Sequence, residues 1–394
     1  MNELLSRLKG DKLIWLVIFF ISMISLLAVY TGAGSPALAS KAGTEYYLLK
    51  HAMLLFGGFV IMYFVSNFDY RIFARISDYL LYLTIPVLVY TLLWGKDIND
   101  ASRWITIFGQ SFQPSDLGKV ALVIHLAKVL TQKQDVIKDF REGFLPTIFW
   151  VLLICLLIAP ADLSTATLLF VTSLMILFIA GVDLKYITSL ILLGAVAVTV
   201  LFSVAQRRGT WESRIDSYWL SLTDDSYDPP YQVKQAYGAM ATGGVFGKGP
   251  GKSTQRNFVP NSTSDMIYPI IIEEHGFIGA IVVLGLYLFL LFRSVGIVTM
   301  SKTFGAILAA GLSLLLVIQA LANMAVAVGL LPVTGLPLPM LSMGGTSILF
   351  TAFSIGIILS VSRHALENGG KKGGKSGGKK GKKGKKGQPN VATA

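Results

Sequence analysis

The sequence predicts an all-α integral membrane protein of about ten transmembrane helices. Both termini are expected in the cytoplasm, with one large extracytoplasmic loop between helices 7 and 8. Three observations carry this. Of 394 residues, 53% are hydrophobic and only 14% charged, with a mean hydropathy of +0.63; an ordinary soluble domain is about 25% charged. Apolar runs of membrane-spanning length recur along the chain. Lys and Arg gather on alternate connections, as the positive-inside bias requires.

A spanning helix needs about 20 mostly apolar residues. Ten runs fit: 13–31, 48–66, 77–94, 114–130, 144–160, 163–181, 185–203, 268–292, 303–329 and 345–362, of which 114–130 and 144–160 are the shortest. With the amino terminus inside, the inner connections hold Arg7, Lys9, Lys12, Arg71, Arg75, Lys128, Lys133, Lys138, Arg141, Lys185, Arg293, Lys302 and Arg363. The short outer connections hold only Lys41, Lys50, Lys96 and Arg103. The domain reading is a cytoplasmic segment 1–12, a polytopic domain 13–363 with its outer loop at 206–266, and a Gly/Lys-rich cytoplasmic tail 364–394 that is expected to be disordered.

The net charge of +12 is mostly a tail property. Nine lysines and no acid fall in 369–394, leaving +3 for the rest. Nucleic acid is therefore not expected as a partner of the body; the tail itself suits anionic membrane lipids. The single Cys155 lies in an apolar run and excludes an intrachain disulfide framework. The first apolar run is too long for the core of a cleavable signal peptide.

Ionisable groups are costly in a bilayer and ask for an explanation. Arg103-Trp104 precedes the fourth span; Trp104 suits an interfacial anchor, and Arg103 offers a forked donor for phosphate. Gln113-Pro114-Ser115-Asp116 opens that span, with Lys119 three residues from Asp116 on the same face. That pair reads either as a self-neutralising ion pair or as the charged floor of a wet cavity. Glu273-Glu274-His275 reads either as a structural partner for loop cations or as a substrate contact. The histidines show no metal-ligand spacing, and no protein metal site is expected. The segment 331–347 carries three prolines and three glycines and no charge, so it cannot be a regular helix. Such backbone survives at membrane depth only when buried in protein or lining a cavity.

The loop 206–266 is about 60 residues long, well beyond an ordinary connection. Its GKGPGKS at 247–253 is not a nucleotide-binding loop, because Phe246 stands where the first Gly is needed. It remains a Gly-rich turn with Lys248, Lys252 and Arg256 nearby, suited to cradling a diphosphate or simply a flexible basic loop. Asn261-Ser262-Thr263 matches a glycosylation sequon. Asp265 precedes an apolar run and reads as a helix N-cap, as a general base, or as both.

Four stretches, in order, carry a family resemblance: SRWITIFGQSFQPSDLGK, YQVKQAYGAMATGGVFGKGPGKSTQRNFVP, STSDMIYPIIIEEHGFIG and GLLPVTGLPLPMLSMGGTSIL. Together they resemble the SEDS family (shape, elongation, division and sporulation), most closely its division branch, over residues from about 10 to 363. The resemblance implies a peptidoglycan glycosyltransferase that polymerises lipid II at the outer face of the bacterial cytoplasmic membrane, at the division septum. It implies a class B penicillin-binding protein and other divisome proteins as partners. The family's essential loop carboxylate falls on Asp265, its Arg-Trp pair on Arg103 and Trp104, and its Gln-Pro-Ser-acid-x-x-Lys stretch on Gln113, Asp116 and Lys119. Its acidic pair falls on Glu273 and Glu274. Lys252 and Arg256 are expected to help bind the diphosphate. A divalent cation, Mg2+ or Mn2+, would assist as its counter-ion, with no organic cofactor. Relatives often carry Glu in place of Asp116, and Met266 and Pro269 also depart from the family pattern. A lipid II flippase and an O-antigen ligase-like glycosyltransferase are the rival readings.

Overall fold

The computed structural model describes residues 8–36, 38, 40, 43–97, 102–107, 110–204, 208–224, 226–260 and 262–377. Residues 1–7, Gln206 at the start of the expected loop, Asn261 of the sequon, and the tail from 378 onward lie outside the described residues.

All ten expected spans are helices: α1 (Lys12–Ala33), α2 (Thr44–Asn67), α3 (Arg71–Trp94), α4 (Pro114–Gln132), α5 (Leu145–Ile158), α6 (Leu163–Ile179), α7 (Leu184–Val204), α10 (Ile267–Met300), α11 (Thr303–Ala327) and α12 (Thr346–Gly377). Two more, α8 (Arg208–Thr223) and α9 (Tyr231–Gly243), lie in the large loop, so that stretch is largely helical rather than irregular. Eight helices are long and apolar enough to cross a membrane unaided. Of the other two, α6 is too short, and α4 carries Asp116, Lys119 and Lys128.

That exception has a physical reason. The mid-section of α4, from Val120 to Ala127, is buried on every side. The charges of α4 are paired within the protein, Lys119 with Asp116 and Lys128 with Asp78. Around α4 pack α3, α6 and α11, while α12 runs along α2 and α10 along α11. The most enclosed spans are α11 and α12, with 78% and 72% of their apolar windows buried. By contrast α7 is 11% buried and lies at the margin.

The connection before α4 folds into a small antiparallel sheet. β1 (Lys96–Asp97) pairs with β2 (Ser102–Ile107), aligning Lys96 with Trp104; β2 pairs with β3 (Gln110–Phe112), aligning Ile105 with Phe112. Its β-branched residues Ile105, Thr106 and Ile107 suit the extended backbone.

Two helices depart from simple spans. The eighth begins at 267, one residue from its expected start, but Gly276 (φ 67°, ψ −165°) breaks α10 into a buried half-helix, 267–275, and a long second part. α12 continues past Arg363 as far as Gly377, extended first by a loose Arg363–Glu367 pair one turn apart (3.9 Å). The helix therefore overlaps the first part of the segment 364–394.

Candidate active site

Two cavities open at the end of the bundle that carries the large loop. The first, of about 440 Å3, is lined by Arg103, Trp104, Gln113, Asp116, Lys119 and Asp162, with Lys50 of α2 and the backbone of 335–337 and 343–345. The second, of about 500 Å3, is lined by Arg214, Ser217 and Tyr218 of α8, by Gln232 and Tyr237 of α9, and by 329–333.

The cations of the first cavity are held in place by partners. β2 presents Arg103, whose Nε donates to the Ala161 carbonyl (2.7 Å) while its guanidinium pairs with Asp162 (3.4 Å). Asp162 also caps α6 by accepting from the Thr165 amide (3.1 Å). Pro114 opens the first turn of α4, where its missing N–H costs nothing. Asp116 and Lys119 then share one face and pair at 2.8 Å. Lys119 donates in addition to the Gln319 amide oxygen (3.1 Å), and both charges are buried. The second Asp116 oxygen is buried with no hydrogen-bond partner. The two sequence readings of this pair, ion pair and cavity floor, are therefore both realised.

Asp265 stands in the wall between the cavities. Its neighbour Ser264 lines the first cavity, and a Cβ placed on Gly335 would lie 3.9 Å from its Oδ2. Arg214 and Gln232 of the second cavity, and Arg103 of the first, act on its carboxylate. Burial pushes the Asp265 carboxyl above the usual carboxylate range; its own amide, Arg214, Gln232 and Arg103 pull it back only in part. The N-cap reading is not realised, since Met266 occupies the cap position of α10 without a side-chain cap bond.

The Pro/Gly segment after α11 forms the wall shared with Asp265. It is non-helical and packed in protein, and four side chains from three helices take its carbonyls. Asn323 donates to Leu336 (2.7 Å), Gln319 to Pro337 (2.8 Å), Tyr287 to Pro339 (2.6 Å) and Ser25 to Leu341 (2.6 Å). The Ser25 hydroxyl, its single proton committed to Leu341, accepts from Nε2 of the fully buried His51 (2.6 Å). Buried backbone carbonyls must find donors, and here the helices supply them.

Glu273, Glu274, Lys252 and Arg256 are not in this site. Glu273 is fully buried and serves the loop: it accepts from Lys248 Nζ (2.6 Å), the Thr254 hydroxyl (2.8 Å), the Thr254 and Gln255 amides (3.1 Å each) and the Ser253 hydroxyl. Glu274 is buried beside the Ser253 amide (3.4 Å). Arg256 donates to the Gly251 carbonyl (3.2 Å) of its own turn, and Lys252 is exposed. The four expected substrate contacts thus lie apart from the two cavities, and the Glu273 carboxylate is taken up by its own loop. In the other direction, sequence reasoning missed Arg214, Asp162, Gln319 and Asn323. Arg214 sits among several loop charges with nothing to single it out. Gln319 and Asn323, four apart in an apolar helix, were the legible signal that went unread.

A polytopic helical membrane protein with two neighbouring cation-bearing cavities and a half-buried carboxylate close to both is the class that fold and site define. Residues 11–367 match the family described as cell cycle protein, FtsW/RodA/SpoVE, and the chain belongs to it. It is 34% identical over 361 residues to the probable peptidoglycan glycosyltransferase FtsW of Geobacter sulfurreducens, covering 90% of this chain and 95% of that one. It is 33% identical over 365 residues to stage V sporulation protein E of Bacillus subtilis, covering 91% and 98%. Among solved structures, it shares its fold with a chain of a peptidoglycan synthase complex that coordinates polymerization and crosslinking, at a TM-score of 0.71 and 23% identity over 91% of this chain and 99% of that one.

Proposed function

We propose that this chain, a peptidoglycan glycosyltransferase, polymerises lipid II with Asp265 as its general base. The observation that carries the reading is the position of Asp265 between two cavities whose arginines both face it. A polymerase of lipid-diphosphate sugars needs two such sites, one for the growing chain and one for the incoming unit. The C4 hydroxyl of the incoming sugar attacks C1 of the growing chain's terminal sugar. The C1–O bond to the diphosphate breaks, the diphosphate leaves with the electron pair, and Asp265 takes the hydroxyl proton. The α-linked donor gives a β-1,4 product, so the displacement inverts and needs no enzyme nucleophile. Arg103 and Lys119 on one side and Arg214 on the other supply charge for the leaving diphosphate.

The polyprenyl tail has an apolar groove at hand. A cavity of about 410 Å3 runs from Leu163, Val198 and Phe202 to Trp211 and Arg214. Among the described residues no three acidic, His or Cys side chains cluster as metal ligands. A divalent cation, Mg2+ or Mn2+, would serve as counter-ion to the diphosphate. The reading also places the chain in the bacterial inner membrane at the septum, in complex with a class B penicillin-binding protein. Support for that partner comes from the synthase-complex fold.

The test uses the purified protein with its transpeptidase partner, in detergent, where flipping has no meaning. Wild type should make glycan from lipid II, and Asp265→Asn should lose about 10²–10⁴-fold, the usual worth of a positioned base. Polymer made by Asp265→Asn at the wild-type rate would sink the base assignment.

A further inference from the structure

The Asp265 carboxylate is held by Gln232 and its own amide rather than by a cap or an ion pair. Its side chain caps no helix, and among the described residues no Lys or Arg nitrogen pairs with it within salt-bridge distance. The backbone that carries it is fixed as well. The carbonyls of three successive residues, Thr263, Ser264 and Asp265, each accept a hydrogen bond from outside their own segment. The Met343 amide donates to Thr263 (2.8 Å), the Ser342 hydroxyl to Ser264 (2.6 Å), and the Asn323 amide nitrogen to Asp265 (2.7 Å).

The two side-chain donors are themselves committed. The same Asn323 nitrogen gives its other proton to Leu336 (2.7 Å), on the wall of the first cavity. Ser342 Oγ accepts from the Leu338 amide (2.8 Å) while it donates to Ser264. One turn before Asn323 on the same helix face, Gln319 holds Pro337 with its nitrogen and Lys119 with its oxygen. Asn323 and Ser342 are buried. The carbonyl ladder therefore ties the base, the cavity wall and the Lys119 cation to one face of α11.

We propose that Asn323, aided by Ser342, is the positioning residue that sets the Asp265 carboxylate at the junction of the two cavities. The proposal rests on the reading of Asp265 as the base. Asn323 touches no reacting atom; it acts through the backbone of the residue that does. A misplacement of about 1 Å can cost on the order of 10²-fold in rate, which gives such a clamp its leverage.

The experiment takes Asn323→Ala and Ser342→Ala in the full chain with its partner. It measures thermal unfolding, kcat and KM for lipid II, and the pH dependence of kcat. The expected result for folded Asn323→Ala is a fall in kcat of roughly 10- to 100-fold, with KM within about twofold of wild type. The acid limb of kcat should also move, because the carboxylate shifts relative to Arg214, Arg103 and Gln232. A role in folding alone would lower the unfolding temperature and leave that limb in place. Wild-type kcat, a loss confined to KM, or a loss with an unmoved acid limb overturns the proposal. If Asn323→Ala does not fold, Ser342→Ala, which deletes one hydroxyl, is read by the same criteria. Polymerisation by Asp265→Asn overturns the base itself, so the two ideas fail separately.

Discussion

At Asp265 two demands oppose each other. The proposed base must be ionised, and burial disfavours its charge. Arg214 and Arg103 offset this, Arg214 the more strongly of the two. Replacing Arg214 by Gln therefore removes a cation and drives the Asp265 pKa further up. The sign follows directly: the ionised fraction at a given acidic pH falls, and the acid limb of kcat moves to higher pH. A pH–rate profile of Arg214→Gln checks this, and an unmoved acid limb would deny Arg214 its electrostatic role. The sequence singled out Asp265 through the family resemblance of its flanking motif, while its place before an apolar run suited a helix N-cap as well. Arg214 was not legible, because its significance comes only from the folding of α8 back over residue 333, where it donates to the Val333 carbonyl (3.1 Å).

At the scale of elements, the break in α10 explains the Gly-rich stretch that the sequence singled out for phosphate binding. The loop after α9 docks against the break: the Lys248 and Gly249 amides donate to the Glu273 and Glu274 carbonyls (2.9 Å each), and the Phe277 amide donates to Gly244 (2.9 Å). The approach is so close that a Cβ on Gly247 would lie 2.1 Å from the Glu274 carbonyl oxygen, and one on Gly276 would lie 2.2 Å from that of Val245. Both glycines also have positive φ. The glycines thus serve backbone-to-backbone packing, and the lysine among them serves Glu273. Gly247→Ala is expected to cost more than about 2 kcal/mol from strain and clash together. It should also free the loop, so that trypsin cuts sooner at Lys248, Lys252 or Arg256. A wild-type unfolding temperature and cleavage rate would show that the docking is dispensable. Composition announced the glycines and cations here but not their target, since the half-helix 267–275 looks like the start of an ordinary span.

Across the whole molecule, hydrophobic run length made the ten helices legible, because crossing the bilayer fixes both length and polarity. It ranked them wrongly. The least apolar of them, α4, is the buried centre, since a helix surrounded by helices can carry Asp116, Lys119 and His125 that a lipid-facing one cannot. The sheet β1–β3 and the helices of the large loop escaped notice, because they lie where no bilayer constrains composition. The sidedness expected from Lys and Arg can be checked on this chain with little background. Its only thiol, Cys155, is buried, and burial pushes ordinary maleimide reactivity down. Asn257 lies exposed in the large loop and Lys302 exposed at the opposite ends of α10 and α11. In intact cells a membrane-impermeant maleimide should label Asn257→Cys and spare Lys302→Cys, and permeabilised cells should label both. Labelling of Lys302→Cys alone in intact cells would invert the topology. It would also put Asp265 and both cavities on the cytoplasmic face, away from any wall polymer, and so remove the setting that the proposed polymerisation requires.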